Sequence, residues 1–149
     1  MSARPAQPLF IDTSAFYAWL KSSDDNHGAA DAVFRAIRSN TLPYRPLFTS
    51  RYVLSELATL VLYNDGHSEA VDAFDTVYNA ESINVLTVSR ESYAAARREF
   101  GRYDDQAISF VDHLSGVVAY ERGIECVFAF DDDFRTLGFT VVPGDTNEP

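Results

Sequence analysis

The segment Pro8-Leu9-Phe10-Ile11-Asp12-Thr13-Ser14-Ala15-Phe16-Tyr17-Ala18-Trp19-Leu20 sets the architecture of the chain. The three apolar residues before Asp12 indicate a short strand that is buried on both faces, as in a parallel sheet. The apolar segment after Ser14 has helical character, so Asp12 lies where a strand passes into a helix. Open α/β sheets bind their ligands at the edge formed by the carboxyl ends of their strands, which is where Asp12 is expected to lie. Taken alone, Asp12-Thr13-Ser14 fits an ordinary helix N-cap equally well.

Further along the chain, short apolar strands alternate with segments of helical periodicity. Strands are predicted at 47–49, 83–88, 126–130 and 139–142, and the proline-containing segment 40–46 is predicted to be a loop. Alternating strands and helices imply right-handed crossovers and a mainly parallel sheet between helical layers. We therefore predict one three-layer α/β/α domain over residues 1–149, with residues 1–7 and 143–149 as frayed tails.

The charge of the chain limits the kinds of partner it can have. The net charge is −10, and of the 12 basic residues only Lys21 is a lysine. This balance argues against a passive nucleic-acid binder, which normally presents a basic face. An acidic surface with almost no lysine would suit a high-salt cytoplasm, where self-repulsion is screened. That hypothesis about habitat competes with the simpler view of an ordinary acidic protein.

Composition and cysteine content favour a folded cytoplasmic protein. Hydrophobic residues make up 46% of the chain, which is enough to form a core. We find no long apolar run for a membrane span and no basic-then-apolar signal sequence. The lone Cys126 excludes an internal disulfide and a cysteine-based zinc site, and it fits a reducing compartment.

Four acidic residues are expected to meet at one edge of the sheet. Asp12 and Asp131 each follow a predicted strand, and the carboxyl ends of parallel strands share an edge. Glu56 and Asp112 lie beside the apolar faces of predicted helices, although each alone could be an exposed acid on a solvated face. Four converging carboxylates repel one another unless a cation is present. Hard oxygen ligands without histidine or cysteine select Mg²⁺ or Mn²⁺.

These acids lie in four short motifs that occur in the order typical of a known family. The motifs are Ile11-Asp12-Thr13-Ser14-Ala15, Ser55-Glu56-Leu57, Ser109-Phe110-Val111-Asp112 and Phe130-Asp131-Asp132-Asp133-Phe134. In the order of these motifs the chain resembles PIN-domain ribonucleases, and most closely the VapC-type toxins of toxin–antitoxin pairs. The resemblance extends from about residue 8 to residue 142. The resemblance implies that Asp12, Glu56, Asp112 and Asp131 form a metal-binding quartet, with Asp133 as the second choice for the fourth acid. It also implies that Thr13 or Ser14 holds a water or phosphate oxygen.

The resemblance further implies a Mg²⁺-dependent endoribonuclease that hydrolyses RNA phosphodiesters. A small antitoxin protein would cover the acidic groove, with an arginine inserted among the carboxylates. We also expect a homodimer, because apolar residues on the early helices, among them Phe16, Trp19 and Phe34, exceed what one small core absorbs. The arginines that are candidates for binding the RNA backbone are Arg45, Arg51, Arg97, Arg98, Arg102 and Arg135.

Other functional classes fit the residues less well. A haloacid-dehalogenase-type phosphatase needs a second acid where this chain has Ser14, and a response-regulator receiver needs a late lysine. His27, His67 and His113 are too scattered for a catalytic triad or a zinc site. The aromatic residues at helical spacing are interpreted as core. The remaining alternative is a non-catalytic PIN-like module that binds RNA or protein, although such a scaffold has no reason to keep repelling buried carboxylates.

Overall fold

The computed structural model describes residues 4–149, which form five strands and seven helices. In chain order these are β1 (Gln7–Ile11), α1 (Thr13–Leu20), α2 (His27–Arg38), β2 (Tyr44–Ser50), α3 (Arg51–Asp65), α4 (His67–Tyr78), β3 (Ile83–Leu86), α5 (Arg90–Arg102), α6 (Phe110–Glu121), β4 (Cys126–Phe128), α7 (Asp133–Thr136) and β5 (Thr140–Val142).

The strands form one sheet in the order β3-β2-β1-β4-β5, and every neighbouring pair is parallel. The predicted parallel α/β/α architecture is therefore confirmed. In the register of the central strand β1 and its neighbour β4, Ile11 pairs with Phe128, so β1 and β4 end side by side. The residues that follow these two strands consequently emerge at the same edge of the sheet.

The core is built around the central strand β1. Leu9, Phe10 and Ile11 have no exposed surface, as expected for a strand that is covered on both faces. Among the described residues, no helix has both the length and the apolar character that crossing a membrane requires.

Helix ends follow the signals in the sequence. Ser50 and Ser89 cap α3 and α5 by accepting hydrogen bonds from the backbone N–H groups of Val53 and Ser92. Gly66 follows α3 with a φ of 100°, a left-handed conformation that glycine adopts without a Cβ penalty.

The segment predicted as a loop over 40–46 is partly a strand. β2 begins at Tyr44, which is buried and pairs with Gln7. Pro46 cannot donate to a sheet ladder, but it lies where the register between β1 and β2 is interrupted, a position that tolerates proline. The packing of Tyr44 against β1 thus outweighs the loop-forming tendency of the prolines.

The expectation of frayed tails is wrong for the described parts of both segments. Residues 1–3 lie outside the described part of the chain, and Gln7 already belongs to β1. At the other end, the Glu148 carboxylate accepts a hydrogen bond from the Tyr44 hydroxyl at 2.7 Å and pairs with Arg4. Asp145 accepts a hydrogen bond from the backbone N–H of Val141. These long-range polar contacts hold the last residues against the sheet.

The premise of the homodimer prediction is also wrong. Phe16 and Phe34 are buried, and Trp19 packs against Phe34 with the ring centroids 4.5 Å apart. Phe34 in turn contacts Phe128 of β4. The core therefore absorbs the three aromatic residues that were expected to be exposed on the early helices.

Candidate metal centre

Asp12 joins the end of β1 to the start of α1 and is buried. It is the N-cap of α1: its Oδ2 accepts hydrogen bonds from Ser14 N at 3.1 Å and from Ser14 Oγ at 2.7 Å. The same Ser14 hydroxyl accepts a hydrogen bond from Phe130 N at 3.0 Å. Asp12 is therefore both a helix cap and a member of the acidic site, so the two interpretations of the sequence are compatible.

The hydroxyls that follow Asp12 have different environments. Ser14 Oγ is hydrogen-bonded to Asp12 and to Phe130, so it connects β1 to the loop after β4 and fixes the Asp12 carboxylate. This role differs from the expected one, in which the hydroxyl contacts a water or a phosphate oxygen. Thr13 Oγ1 is buried and has no hydrogen-bond partner among the described residues.

Asp112 and Glu56 reach the site from two helices. Asp112 lies in the first turn of α6, is buried, and donates its backbone N–H to the capping hydroxyl of Ser109. Glu56 lies in the middle of α3 and is half-buried. The positive end of the α6 dipole favours a negative charge at Asp112.

The loop after β4 supplies the remaining acids. β4 ends at Phe128, two residues earlier than predicted, because the backbone of Phe130 bonds to Ser14 instead of continuing the ladder. Asp131 therefore lies in a loop, where its Oδ1 accepts a hydrogen bond from Asp133 N. The side chain of Asp132 is exposed and pairs with Arg135, away from the other acids.

The structure brings all four predicted acids together and adds Asp133. Carboxylate oxygens of Asp12, Glu56 and Asp112 lie within 4.8 Å of one another, and the same holds for Asp112, Asp131 and Asp133. Asp112 belongs to both groups, so the five acids form two overlapping triads. In the sequence, Asp131 and Asp133 were alternatives for the fourth acid of the quartet, and in the structure both belong to the second triad.

Burial and mutual repulsion shift the titration of these acids. Burial, with added repulsion from Asp131 and Glu56, raises the pKa of Asp12 to about 7. Burial and the charges of Asp12, Asp131 and Glu56 raise the pKa of Asp112 to about 9. The pKa of Asp131 is raised as well, first by burial and then by the neighbouring carboxylates. Without a counter-charge, the site thus favours bound protons.

The acid cluster lacks a basic partner among the described residues. In the part of the chain that the structure describes, no Lys, Arg or His nitrogen lies within 4.0 Å of a carboxylate oxygen of Asp12, Glu56, Asp112, Asp131 or Asp133. Asp12 Oδ1 is buried and accepts no hydrogen bond from any residue in the range 4–149. An unpaired buried acceptor among all-oxygen donors is what a hard divalent cation would satisfy.

The three histidines lie outside the acid cluster. His27 Nδ1 is 2.9 Å from the carbonyl oxygen of Ala18. His113 is buried between the rings of Phe100 and Tyr103, at centroid distances of 5.9 and 5.2 Å. This agrees with the interpretation of the histidines as packing or surface residues.

A family model for the PIN domain matches residues 9–140, so the chain belongs to the PIN-domain family. It is 32% identical over 142 residues to the 23S rRNA-specific endonuclease VapC20 of Mycobacterium tuberculosis, covering 90% of this chain and 97% of VapC20. The crystal structure of VapC20, described as a sarcin-ricin loop cleaving toxin, matches with a TM-score of 0.78 at 31% identity. That match covers 89% of this chain and 96% of the VapC20 chain.

A more distant solved structure shares the fold alone. The DNA-bound VapBC of Salmonella typhimurium matches with a TM-score of 0.64 at 15% identity, covering 91% of this chain and 96% of the matched chain. Together the comparisons confirm the PIN-like fold and the resemblance to VapC-type ribonucleases. The predicted enzyme class, a PIN-domain endoribonuclease, is confirmed at the level of the family. The divalent-metal chemistry general to PIN nucleases agrees with the buried acids.

Proposed function

We propose that the chain is a Mg²⁺- or Mn²⁺-dependent endoribonuclease that acts as the toxin of a toxin–antitoxin pair. The observation that carries this proposal is the pair of overlapping carboxylate triads that share Asp112. We assign Asp12, Glu56, Asp112 and Asp131 as the catalytic metal ligands, with Asp133 as an additional ligand in the second triad.

The residues around the acids support this role. Ser14 fixes the orientation of the Asp12 carboxylate, so that Oδ2 is engaged in hydrogen bonds and Oδ1 remains for a ligand. The Ser109 cap fixes the first turn of α6, which carries Asp112, the acid common to both triads. These carboxylates would hold a divalent cation, which would lower the pKa of a bound water and stabilise negative charge on a phosphodiester. None of the five acids has to act as a covalent nucleophile.

Ribosomal RNA is the substrate class that we propose. The relative VapC20 is named as specific for 23S rRNA and shares about a third of its residues with this chain over nearly its full length. The negative charge of the protein does not oppose this assignment, because a carboxylate cluster loaded with cations can accept a phosphate group. An RNA substrate also agrees with the cytoplasmic location that the single cysteine favours.

The proposed partners follow from the same site. An antitoxin segment that covers the acid cluster would bring an arginine among the carboxylates, where charge-assisted hydrogen bonds are strong.

We also propose a homodimer, but no longer because of the aromatic residues on the early helices, which are in the core. Its basis is that Leu62 of α3 and Val71 of α4 are exposed and line one apolar depression. Light scattering across a concentration series tests this association, and a strict monomer would count against it.

The experiment for the activity uses purified 23S rRNA, transfer RNA and duplex DNA at several salt concentrations, since salt screens the self-repulsion of a chain with a net charge of −10. With Mg²⁺ or Mn²⁺ we expect endonucleolytic cleavage of RNA, loss of cleavage with a chelator, and little action on duplex DNA. If the folded, metal-loaded protein cleaves no RNA, the enzyme assignment fails and a non-catalytic RNA- or protein-binding module takes its place.

A further inference from the structure

Four aromatic rings form a continuous row that runs from α3 to α5, on to α6 and back to α5. The centroid distances are 5.8 Å between Tyr52 and Tyr93, 5.1 Å between Tyr93 and Phe110, and 5.7 Å between Phe110 and Phe100. We call these four residues the aromatic ladder. Its members pack mainly edge to face or tilted, an arrangement that favours ring–ring contact.

The aromatic ladder is on the surface, in contrast to the expectation that aromatics at helical spacing belong to the core. Tyr52, Tyr93 and Phe100 are exposed at 37%, 41% and 48% of their surface, and Phe110 is half-buried. A contiguous apolar surface of this kind indicates a binding site.

The ladder adjoins the acid cluster through two helices. Tyr52 precedes Glu56 by one turn of α3, and both line a groove of about 510 Å³ between α3 and α6. Phe110 lies two residues before Asp112 in the first turn of α6. The ladder is therefore next to the acids along both α3 and α6.

An arginine is interleaved with the rings. Tyr93, Arg97 and Phe100 are spaced i, i+4 and i+7 on α5, so they share one face of the helix. The Arg97 guanidinium has no carboxylate oxygen within 4.0 Å among residues 4–149.

Helix α5 also has an unusual charge for this protein. It contains four arginines and two glutamates, a net charge of +2 in a chain whose net charge is −10. The helix thus attracts a phosphate backbone locally, in a protein whose net charge repels it. This charge favours a polyanion over a neutral or basic peptide, and the exposed rings, on which bases can stack, favour a nucleic acid as that polyanion.

We propose that the aromatic ladder, with Arg97, is the substrate platform on which unpaired RNA bases stack while the adjacent phosphate enters the acid cluster. This deepens the proposed function, on which it rests, because it names unpaired RNA as the preferred substrate. Bases in a duplex are stacked on each other and cannot lie on side chains, whereas loops and single strands can. Stacking is also insensitive to charge screening, so it sustains binding at salt concentrations that weaken phosphate contacts.

The test measures binding separately from cleavage. A fluorescein-labelled single-stranded RNA and the same strand annealed to its complement are titrated with metal-free protein, in which cleavage cannot proceed. We compare the wild type with Tyr93→Leu plus Phe100→Leu. The matched control is Tyr78→Leu on α4, where a tyrosine of similar exposure, 53%, lies outside the ladder.

The double variant should raise the Kd for the single strand by roughly tenfold or more, while the control leaves it unchanged. Arg97→Gln should reduce the slope of log K against log salt by about one, an effect that a purely structural role would not produce. Tyr52→Leu serves as an independent ladder variant if the double variant does not fold. In Mg²⁺, ladder variants should raise KM for RNA more than they lower kcat.

Two results would overturn the proposal. One is an unchanged single-strand Kd in every folded ladder variant. The other is a fall in oligomeric mass by light scattering in those variants with RNA binding intact, which would identify the ladder as a protein interface. A wild type that binds RNA through the ladder but does not cleave it refutes the nuclease function alone. If the wild type cleaves RNA and the ladder variants have the same Kd and KM as the wild type, the platform proposal alone is refuted.

Discussion

Ser14 Oγ donates a hydrogen bond to Asp12 Oδ2 at 2.7 Å and accepts one from the backbone of the loop after β4. This single hydroxyl therefore links the carboxyl ends of the two central strands and orients the most buried acid of the site.

Replacing Ser14 by alanine should weaken both the fold and the site. The change removes a hydrogen bond to a carboxylate and leaves the N–H of Phe130 without its partner, which together should lower the free energy of unfolding by about 2 kcal/mol. Denaturant unfolding measures this loss, and Ser23→Ala in the exposed turn after α1 is the control that should match the wild type. Equal stability of the two variants would show that the link is dispensable.

The stability of the metal-free protein should fall as the pH rises from about 4 to about 9. Asp12, with a pKa of about 7, and Asp112, with a pKa of about 9, hold a proton more tightly in the folded state than in the unfolded state, where the pKa of Asp is about 3.9. Their contribution to stability is therefore complete below the unfolded pKa and is lost as the pH passes the folded values.

Chemical denaturation in the presence of a chelator measures this pH dependence. The variant Asp12→Asn plus Asp112→Asn should have a flatter profile, because the two groups with the largest shifts no longer titrate. A wild-type stability that stays constant or rises over this pH range contradicts the repulsion described for the cluster.

Added Mg²⁺ or Mn²⁺ should raise the melting temperature of the wild type by mass action, and the rise should be larger at higher pH, where protons compete less for the carboxylates. In Asp12→Asn plus Asp112→Asn the rise should vanish. If the double variant responds to metal like the wild type, the cation binds elsewhere.

The consecutive acids 131–133 provide an internal comparison, because Asp131 and Asp133 belong to the second triad and Asp132 does not. Asp131→Asn and Asp133→Asn should each weaken the binding of Mn²⁺, whereas Asp132→Asn should not, because Asp132 is exposed and pairs with Arg135. Isothermal titration calorimetry on the three variants distinguishes these effects. Loss of affinity in Asp132→Asn alone would show that the loop is arranged differently around the bound metal.

Features that depend on local sequence were the ones predictable in advance. The strand before Asp12 was predicted from three adjacent apolar residues, and the structure contains it. The caps at Ser50 and Ser89 likewise involve only the few residues at the start of each helix. The convergence of Asp12 and Asp131 followed from a general property of parallel sheets, that their strand ends share an edge.

Features that depend on distant contacts were not predictable. Glu148 is held by Tyr44, 104 residues earlier in the chain, and nothing in the last residues indicates this contact. The burial of Phe34 depends on Phe128, which reaches it only through the order of the strands. The exposure of the aromatic ladder could have been suspected, since Arg97 interrupts the spacing of Tyr93 and Phe100 on a face that a core would keep apolar.

The rate of 23S rRNA cleavage by Asp112→Asn, compared with the wild type and Asp132→Asn, is the most direct measurement of the proposed site, because Asp112 is shared by both triads. Each protein is first shown to be folded and then assayed in Mg²⁺ or Mn²⁺ at several salt concentrations. We predict that Asp112→Asn lowers the cleavage rate by roughly a hundredfold or more, the loss expected when one group of a preorganised electrostatic site is removed, while Asp132→Asn cleaves like the wild type. Equal cleavage rates for folded Asp112→Asn and the wild type would contradict the assignment of the acid cluster as the active site.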